Sequence, residues 1–365
     1  MANFKKGRKS EAQLKSNDSR DKMKKVGIKN RRDKLTHSIG FSFTSEAVSP
    51  FHHTYEIGLF KLQPIIPLLK ETIFIANTDG VLDAFKDRDD YGKYAPFRSN
   101  FCCELTTCEE DWKNLVVDDK GLTFNSLESS EKLNFITKIA SAIILLLRLK
   151  GMTYFTTPIE LSGTTFQELS QKNKSVEMRT RFTQSIIDFI PNPNPDPRKL
   201  VDEDFVWINE NHHALGTLNE NGRMNFFHDL YDSLHFPNVS VQLTLIWSGI
   251  ESIVKSDHTG TRHSIKSRCA MILGGTREEQ RDIFNKVGKL YNFRCDVIHG
   301  NKEFSMLNYM NDFEEDDGGF KPIGGAKKLC DSYQILTDLL LKVIDDGKFP
   351  TKSELKSMQN QYAQE

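Results

Sequence analysis

The chain has 365 residues, 38% of them hydrophobic and 27% charged, which excludes a disordered or fibrous protein and leaves room for two domains with separate cores. A formal net charge of -1 hides a polarity along the sequence: residues 1–38 carry 13 Lys+Arg against four acids, the remainder 36 against 46. The six cysteines, at positions 102, 103, 108, 269, 295 and 330, form no CxxC pair, which argues against structural zinc and for reduced, buried thiols in a cytoplasmic protein.

Residues 1–38 read as a basic, disordered arm. It lacks an apolar h-region and so is not a secretory signal. Either it is a solvated tail, or it contacts RNA through phosphate attraction that fades with salt. From Phe41 to Val117 short β-prone runs appear, at Thr54–Phe60, Thr72–Ile75 and Asn100–Leu105, separated by Asp, Gly, Asn and Pro. His52 and His53 are adjacent, and alternation on a strand points them apart, so they give no metal site. Ser130 is placed to cap a helix over 131–150, with Leu133, Ile136, Ile139 or Ala140, Ile143 and Leu147 on one face and Gly151 ending it. Its run from Ile139 to Leu149 is too short to span a bilayer, which needs about 20 residues, and reads as a buried helix.

Residues 166–190 offer Phe182, Ile186, Ile187 and Ile190 to a helix face. Pro191-Asn-Pro-Asn-Pro-Asp-Pro197 cannot be helical and marks the domain boundary. Residues 39–190 are accordingly expected as a mixed α/β domain, in which no catalytic motif is evident. Beyond the prolines the pattern is helical. Two segments, 201–219 and 223–235, have apolar faces. Val239, Leu243, Ile246, Ile250 and Ile253 repeat at steps of four and three, the spacing of a bundle helix packed along a seam. A helix over 261–273 ends at Gly274-Gly275, and Thr276 with Glu279 forms a capping box for the next. An acidic, Gly-rich connection of about 25 residues follows, expected to be mobile or partner-facing. The last seam helix carries Leu329, Tyr333, Leu336, Leu340 and Val343, and residues 347–365 read as a polar tail.

The capped helix carries the chemistry. Its apolar stripe runs Ile283, Val287, Leu290, Val297, and the position that continues it between the last two is Arg294. A guanidinium is costly to bury without acceptors for its five donors, so Arg294 needs an anionic partner, a route to solvent or a second subunit. His299, suited to moving protons near neutral pH, follows five residues on, and Gly300 ends the helix.

Tyr291, Arg294, His299 and Gly300, as Tyr-x2-Arg-x4-His-Gly, resemble the motif of the HEPN superfamily, in its Apea-like branch. The resemblance covers about residues 200–346, through the helix bearing Ile250-Glu251, the helix ending near Leu273 and the last helix ending near Ile344. Many members of that branch carry a small polar residue after the arginine, where this chain has Cys295 and then Asp296. The implied fold class is α+β, with a C-terminal all-α HEPN-type helical bundle preceded by a smaller mixed α/β domain.

The resemblance implies a metal-independent endoribonuclease that needs no cofactor and works as a homodimer through the HEPN domain, with the motif facing its symmetry mate. Its expected role is that of a defence or toxin-type effector, whose N-terminal domain binds a trigger or regulator. Arg294 and His299 are the implied catalytic residues, and Asp296, Glu251 and Tyr291 the supporting ones. On an ideal helix residues five apart diverge by about 140°, so the pair is reconciled if the arginine wraps round, if the helix unwinds at Gly300, or if it works in a cleft between two subunits that each donate their own Arg-His set. Against catalysis stands a plainer arrangement: Arg294 paired with Glu251 for the bundle alone, His299 as a helix-end cation, and the domain a non-catalytic module for dimerisation and for RNA or protein binding.

Overall fold

The computed structural model describes residues 36–41, 53–64, 74–76, 103–117, 120–151, 159–162, 176–178, 200–213, 218, 222–234, 238–254, 262–316 and 319–364. The proline run 191–197, His52, Cys102 and nearly all of the basic arm lie outside them. Together these residues form an α+β protein, mostly helical, with a small N-terminal sheet and a C-terminal helical region.

Five antiparallel strands make the main sheet: β1 (Thr36–Phe41), β2 (Tyr55–Ile57), β3 (Phe60–Pro64), β5 (Cys103–Cys108) and β6 (Ile159–Ser162), in the order β2-β3-β5-β1-β6. The arm's last residues, from Thr36, therefore belong to the sheet. The Thr54–Phe60 run is not one strand but a hairpin turning at Gly58, whose φ is +57°. Only glycine fits there: a Cβ would stand 2.5 Å from His212 Nε2. A separate parallel pair joins β4 (Phe74–Ala76) to β7 (Val176–Met178). The described part of the expected 166–190 helix is thus a strand, and the apolar residues that gave the helical pattern lie outside the described residues.

After β5 a single turn, α1 (Glu109–Trp112), buries Trp112 against Phe60, Phe124 and Phe135. Helix α2 (Ser129–Leu149) starts one residue before the expected cap, because Glu131 reaches back to accept the Glu128 N–H at 2.9 Å. Residues 143–149 of α2 are all buried, Arg148 included, so the segment is a core helix. It packs on α3 (Asp202–Asn211) and α4 (Arg223–Ser233). The sheet meets α3 through Tyr55, which stacks on Phe205 at 3.7 Å and donates from its hydroxyl to Asp202 at 2.5 Å. Burial and that carboxylate push the Tyr55 phenol up to about 12. One continuous set of buried apolar residues runs from the sheet through α2 into the bundle.

Four helices form that bundle: α5 (Val239–Val254), α6 (Arg262–Leu273), α7 (Arg277–Ile298) and α9 (Gly324–Asp345), each in contact with the other three. All five seam residues expected on α5 and all five on α9 are buried. At Gly249 a Cβ would meet Leu336 at 2.8 Å, so this glycine lets α5 and α9 approach closely. The Thr276 capping box is present: Glu279 N–H donates to Thr276 Oγ1 at 3.2 Å, and Glu279 Oε2 accepts from the Thr276 N–H at 2.7 Å. These bonds hold the Glu279 carboxyl below its ordinary range. Thr276→Ala should destabilise the protein by about 1 kcal/mol, measured by urea denaturation, with an unchanged unfolding slope.

Two further expectations need correcting. The acidic connection is folded: α8 (Met306–Asn311) leads into a hairpin of β8 (Phe313–Asp316) and β9 (Gly319–Pro322). Asp312 closes its neck, its carboxylate accepting the N–H groups of Gly325 (2.6 Å) and Ala326 (3.3 Å) at the start of α9. The polar segment after Lys352 is a helix, α10 (Lys352–Gln364), packed on α6 with Leu355 buried. Among the described residues no helix is long and apolar enough to cross a membrane.

Candidate functional site

The end of α7 is finished tightly. His299 N–H donates to Cys295 O at 2.9 Å, Gly300 N–H to Val297 O at 3.2 Å and Lys302 N–H to Asp296 O at 3.0 Å, with Gly300 at φ +73°. Val287, Leu290 and Val297 are buried, and Phe293 joins them, widening the stripe beyond what its four-three spacing showed. At about 100° per residue Arg294 falls between Leu290 and Val287 on the wheel, on the core-facing arc. It turns toward α5, where Glu251 lies beside the seam.

Arg294 Nη2 stands 3.6 Å from Glu251 Oε1, each side chain 21% exposed. That separation is longer than the 2.7–2.9 Å or so of a well-made charge-assisted hydrogen bond. The Arg294 Nε is buried and has no hydrogen-bond partner among the described residues. One turn back, Tyr291 lies under the guanidinium (5.8 Å to the ring centroid) and meets the fully buried Trp247 edge-on at 5.4 Å. Burial raises the Tyr291 phenol above its ordinary value, with lesser contributions from Cys295 and Glu251, while Arg294 pulls it down. Trp247 with Glu251 on α5 thus faces Tyr291 with Arg294 on α7, two rungs between parallel helices. Trp247 reads from sequence as a core aromatic only; the signal was its position four residues before Glu251, on the same face.

The other two residues lie elsewhere. His299 and Asp296 are exposed. Three apart, they share a face of α7, and that face is turned away from Arg294. Within one chain the structure therefore brings together Arg294, Glu251 and Tyr291 at the α5–α7 seam, and leaves His299 with Asp296 on the outer side of the same helix end. Of the supporting residues, Glu251 and Tyr291 lie beside Arg294, and Asp296 does not. Among the described residues no group of three or more His, Cys, Asp or Glu side chains is placed to hold a metal ion. Comparison of the chain with models of protein families, with curated proteins and with solved structures finds no match.

Proposed function

We propose that this protein is a metal-independent endoribonuclease of the HEPN type, with Arg294 and His299 as its catalytic pair. The observation that carries the reading is the under-satisfied guanidinium: one amino group held loosely by Glu251, a buried Nε without an acceptor, and partial exposure. Such a group can take the oxygens of a phosphate without leaving a carboxylate wholly unpaired. In the reaction the ribose 2′-oxygen attacks the adjacent phosphorus while His299 accepts the hydroxyl proton. The bond to the 5′-oxygen breaks and that oxygen takes up a proton, leaving a 2′,3′-cyclic phosphate and a 5′-hydroxyl. Arg294 stabilises the charge that develops on the phosphoryl oxygens. Because the nucleophile is the 2′-hydroxyl, DNA is not a substrate.

The separation of His299 from Arg294 on α7 supports a homodimer, in which each subunit brings its histidine to the partner's arginine. A role as a defence or toxin-type effector, with the N-terminal region binding a trigger, belongs to the same proposal. The second reading, a non-catalytic bundle for dimerisation and RNA or protein binding, has the Arg294–Glu251 pair in its favour, since both of its members lie within one chain. Purified protein incubated with RNA in EDTA decides between them: products ending in 2′,3′-cyclic phosphate are expected. An intact RNA that nonetheless co-migrates with the protein would establish the second reading instead.

A further inference from the structure

Trp247 is fully buried on α5, yet its indole Nε1 has no hydrogen-bond partner among the described residues. A buried tryptophan usually finds an acceptor for that proton, and where a core needs only apolar volume a phenylalanine fills the place. The Nε atom of Arg294, on the facing helix, is likewise buried without a partner. These two orphaned donors share the same two neighbours. Trp247 stands one turn before Glu251 on α5, and Glu251 Oε1 lies 3.6 Å from Arg294 Nη2. The Tyr291 ring touches both owners, its centroid 5.4 Å from that of the indole and 5.8 Å from the guanidinium carbon. An aromatic ring is only a weak acceptor for an N–H, so the closed seam leaves two good donors under-used beside the partly exposed end of Arg294.

We propose that Trp247 Nε1 and Arg294 Nε form a pair of donors for a phosphoryl group, uncovered when the Tyr291 ring turns out of the seam. For the identity of its ligand the proposal rests on the ribonuclease reading. Tyr291 is half-buried, and the helical backbone allows an aromatic side chain two χ1 rotamers, so the ring can leave without any change of the main chain. Its departure opens the indole edge and the guanidinium together. The phosphoryl group then accepts from Arg294 Nε with one non-bridging oxygen and from Trp247 Nε1 with the other, while Glu251 stays beside Nη2. The guanidinium supplies charge, and the indole, which can only donate, fixes where the second oxygen lies. Trp247 is in this arrangement a binding residue, and Tyr291 its cover.

The test reads the indole protons directly by NMR, in full-length protein isotopically labelled at its three tryptophans. Trp112→Phe, Trp207→Phe and Trp247→Phe assign the signals, and any two of them suffice. Inorganic phosphate and a 2′-O-methyl oligouridylate, which lacks the nucleophilic hydroxyl, are added at an ionic strength held constant with chloride. Each should shift the Trp247 signal and leave those of Trp112 and Trp207 in place, and the shift should vanish in Arg294→Ala. Tyr291→Ala should speed exchange of the Trp247 indole proton with water at least about tenfold in the absence of ligand, the cover having been removed. Trp247→Phe, which keeps an aromatic ring, should lower kcat for RNA cleavage about 10²-fold with KM nearly unchanged, one preorganised donor being lost. A core role alone would lower the melting temperature and leave kcat of the folded protein as it was. The proposal is overturned if neither phosphate ligand moves the Trp247 signal, if the shift survives Arg294→Ala, if Tyr291→Ala leaves exchange unchanged, or if folded Trp247→Phe keeps the wild-type kcat. The first three outcomes decide even should Trp247→Phe not fold. A response to acetate as strong as that to phosphate would overturn it in favour of a carboxylate ligand. A Trp247 signal that answers to phosphate through Arg294, in a protein that cuts no RNA, would sink the nuclease reading and leave the donor pair standing.

Discussion

Arg294→Ala is expected to lower RNA cleavage by about 10²–10³-fold, the usual effect of removing one preorganised donor from a charge that develops in the transition state. His299→Ala is expected to lose at least as much, since the proton transfer it would remove contributes about 10²–10⁴-fold. The size of the effect separates catalysis from scaffolding. As an ion pair at 3.6 Å with a fifth of each side chain exposed, Arg294–Glu251 contributes only about 1 kcal/mol to stability. A purely structural arginine would therefore shift the unfolding midpoint slightly and leave activity near wild type wherever the protein is folded. Glu251→Gln adds the second arm: it keeps the shape but removes the carboxylate charge, and should reduce cleavage far less than Arg294→Ala. If Arg294→Ala and His299→Ala both cut RNA at the wild-type rate, the assignment of the pair is wrong.

Mixing the two variants tests the shared site. Where each subunit lends its histidine to the other's arginine, an Arg294→Ala subunit paired with a His299→Ala subunit restores one complete site of the two. The expected outcome is activity recovered to a sizeable fraction of wild type on co-refolding, although each variant alone is inactive. Persistent inactivity of the mixture would place both residues in service within one chain.

What the sequence made legible follows from how local its signals are. The four-three spacing of α5 and α9 needs only one apolar seam, and all ten expected seam residues are buried. The capping box at Thr276 is likewise written in four consecutive residues. Glu251 could be named as a partner for Arg294, yet the wall made by Trp247 and Tyr291 could not, because it depends on how α5 and α7 are rotated against each other. The β8–β9 hairpin was read as a featureless connection: its neck is closed by Asp312 binding backbone N–H groups of α9, a bond that leaves no periodicity. The hairpin at Gly58 was read as one strand, since its turn is fixed by the approach of His212 from α3, more than a hundred positions away.

The helix at the C-terminus was the largest omission, and it gives the second large effect. α10 buries Leu355 and stacks Tyr362 on Phe284 of α7 at 4.9 Å. A polar hold is added from α6. Arg268, 3% exposed, donates from Nε to Leu355 O (3.2 Å) and from Nη2 to Gln359 Oε1 (3.0 Å) on α10, and from Nη1 to Val254 O (3.0 Å) at the end of α5. One rigid fork thus ties three helices together, a geometry that a lysine's single nitrogen cannot reproduce. Arg268→Leu should destabilise the protein by about 3 kcal/mol, because it strands buried carbonyls as well as removing charged hydrogen bonds. Arg268→Lys should lose most of that. The loss should appear first at α10, as amide exchange and proteolytic nicking after Lys352, before the bundle itself opens. Should the leucine variant unfold at the wild-type urea midpoint with α10 still protected, the helix is held by the Phe284–Tyr362 stack and not by the arginine.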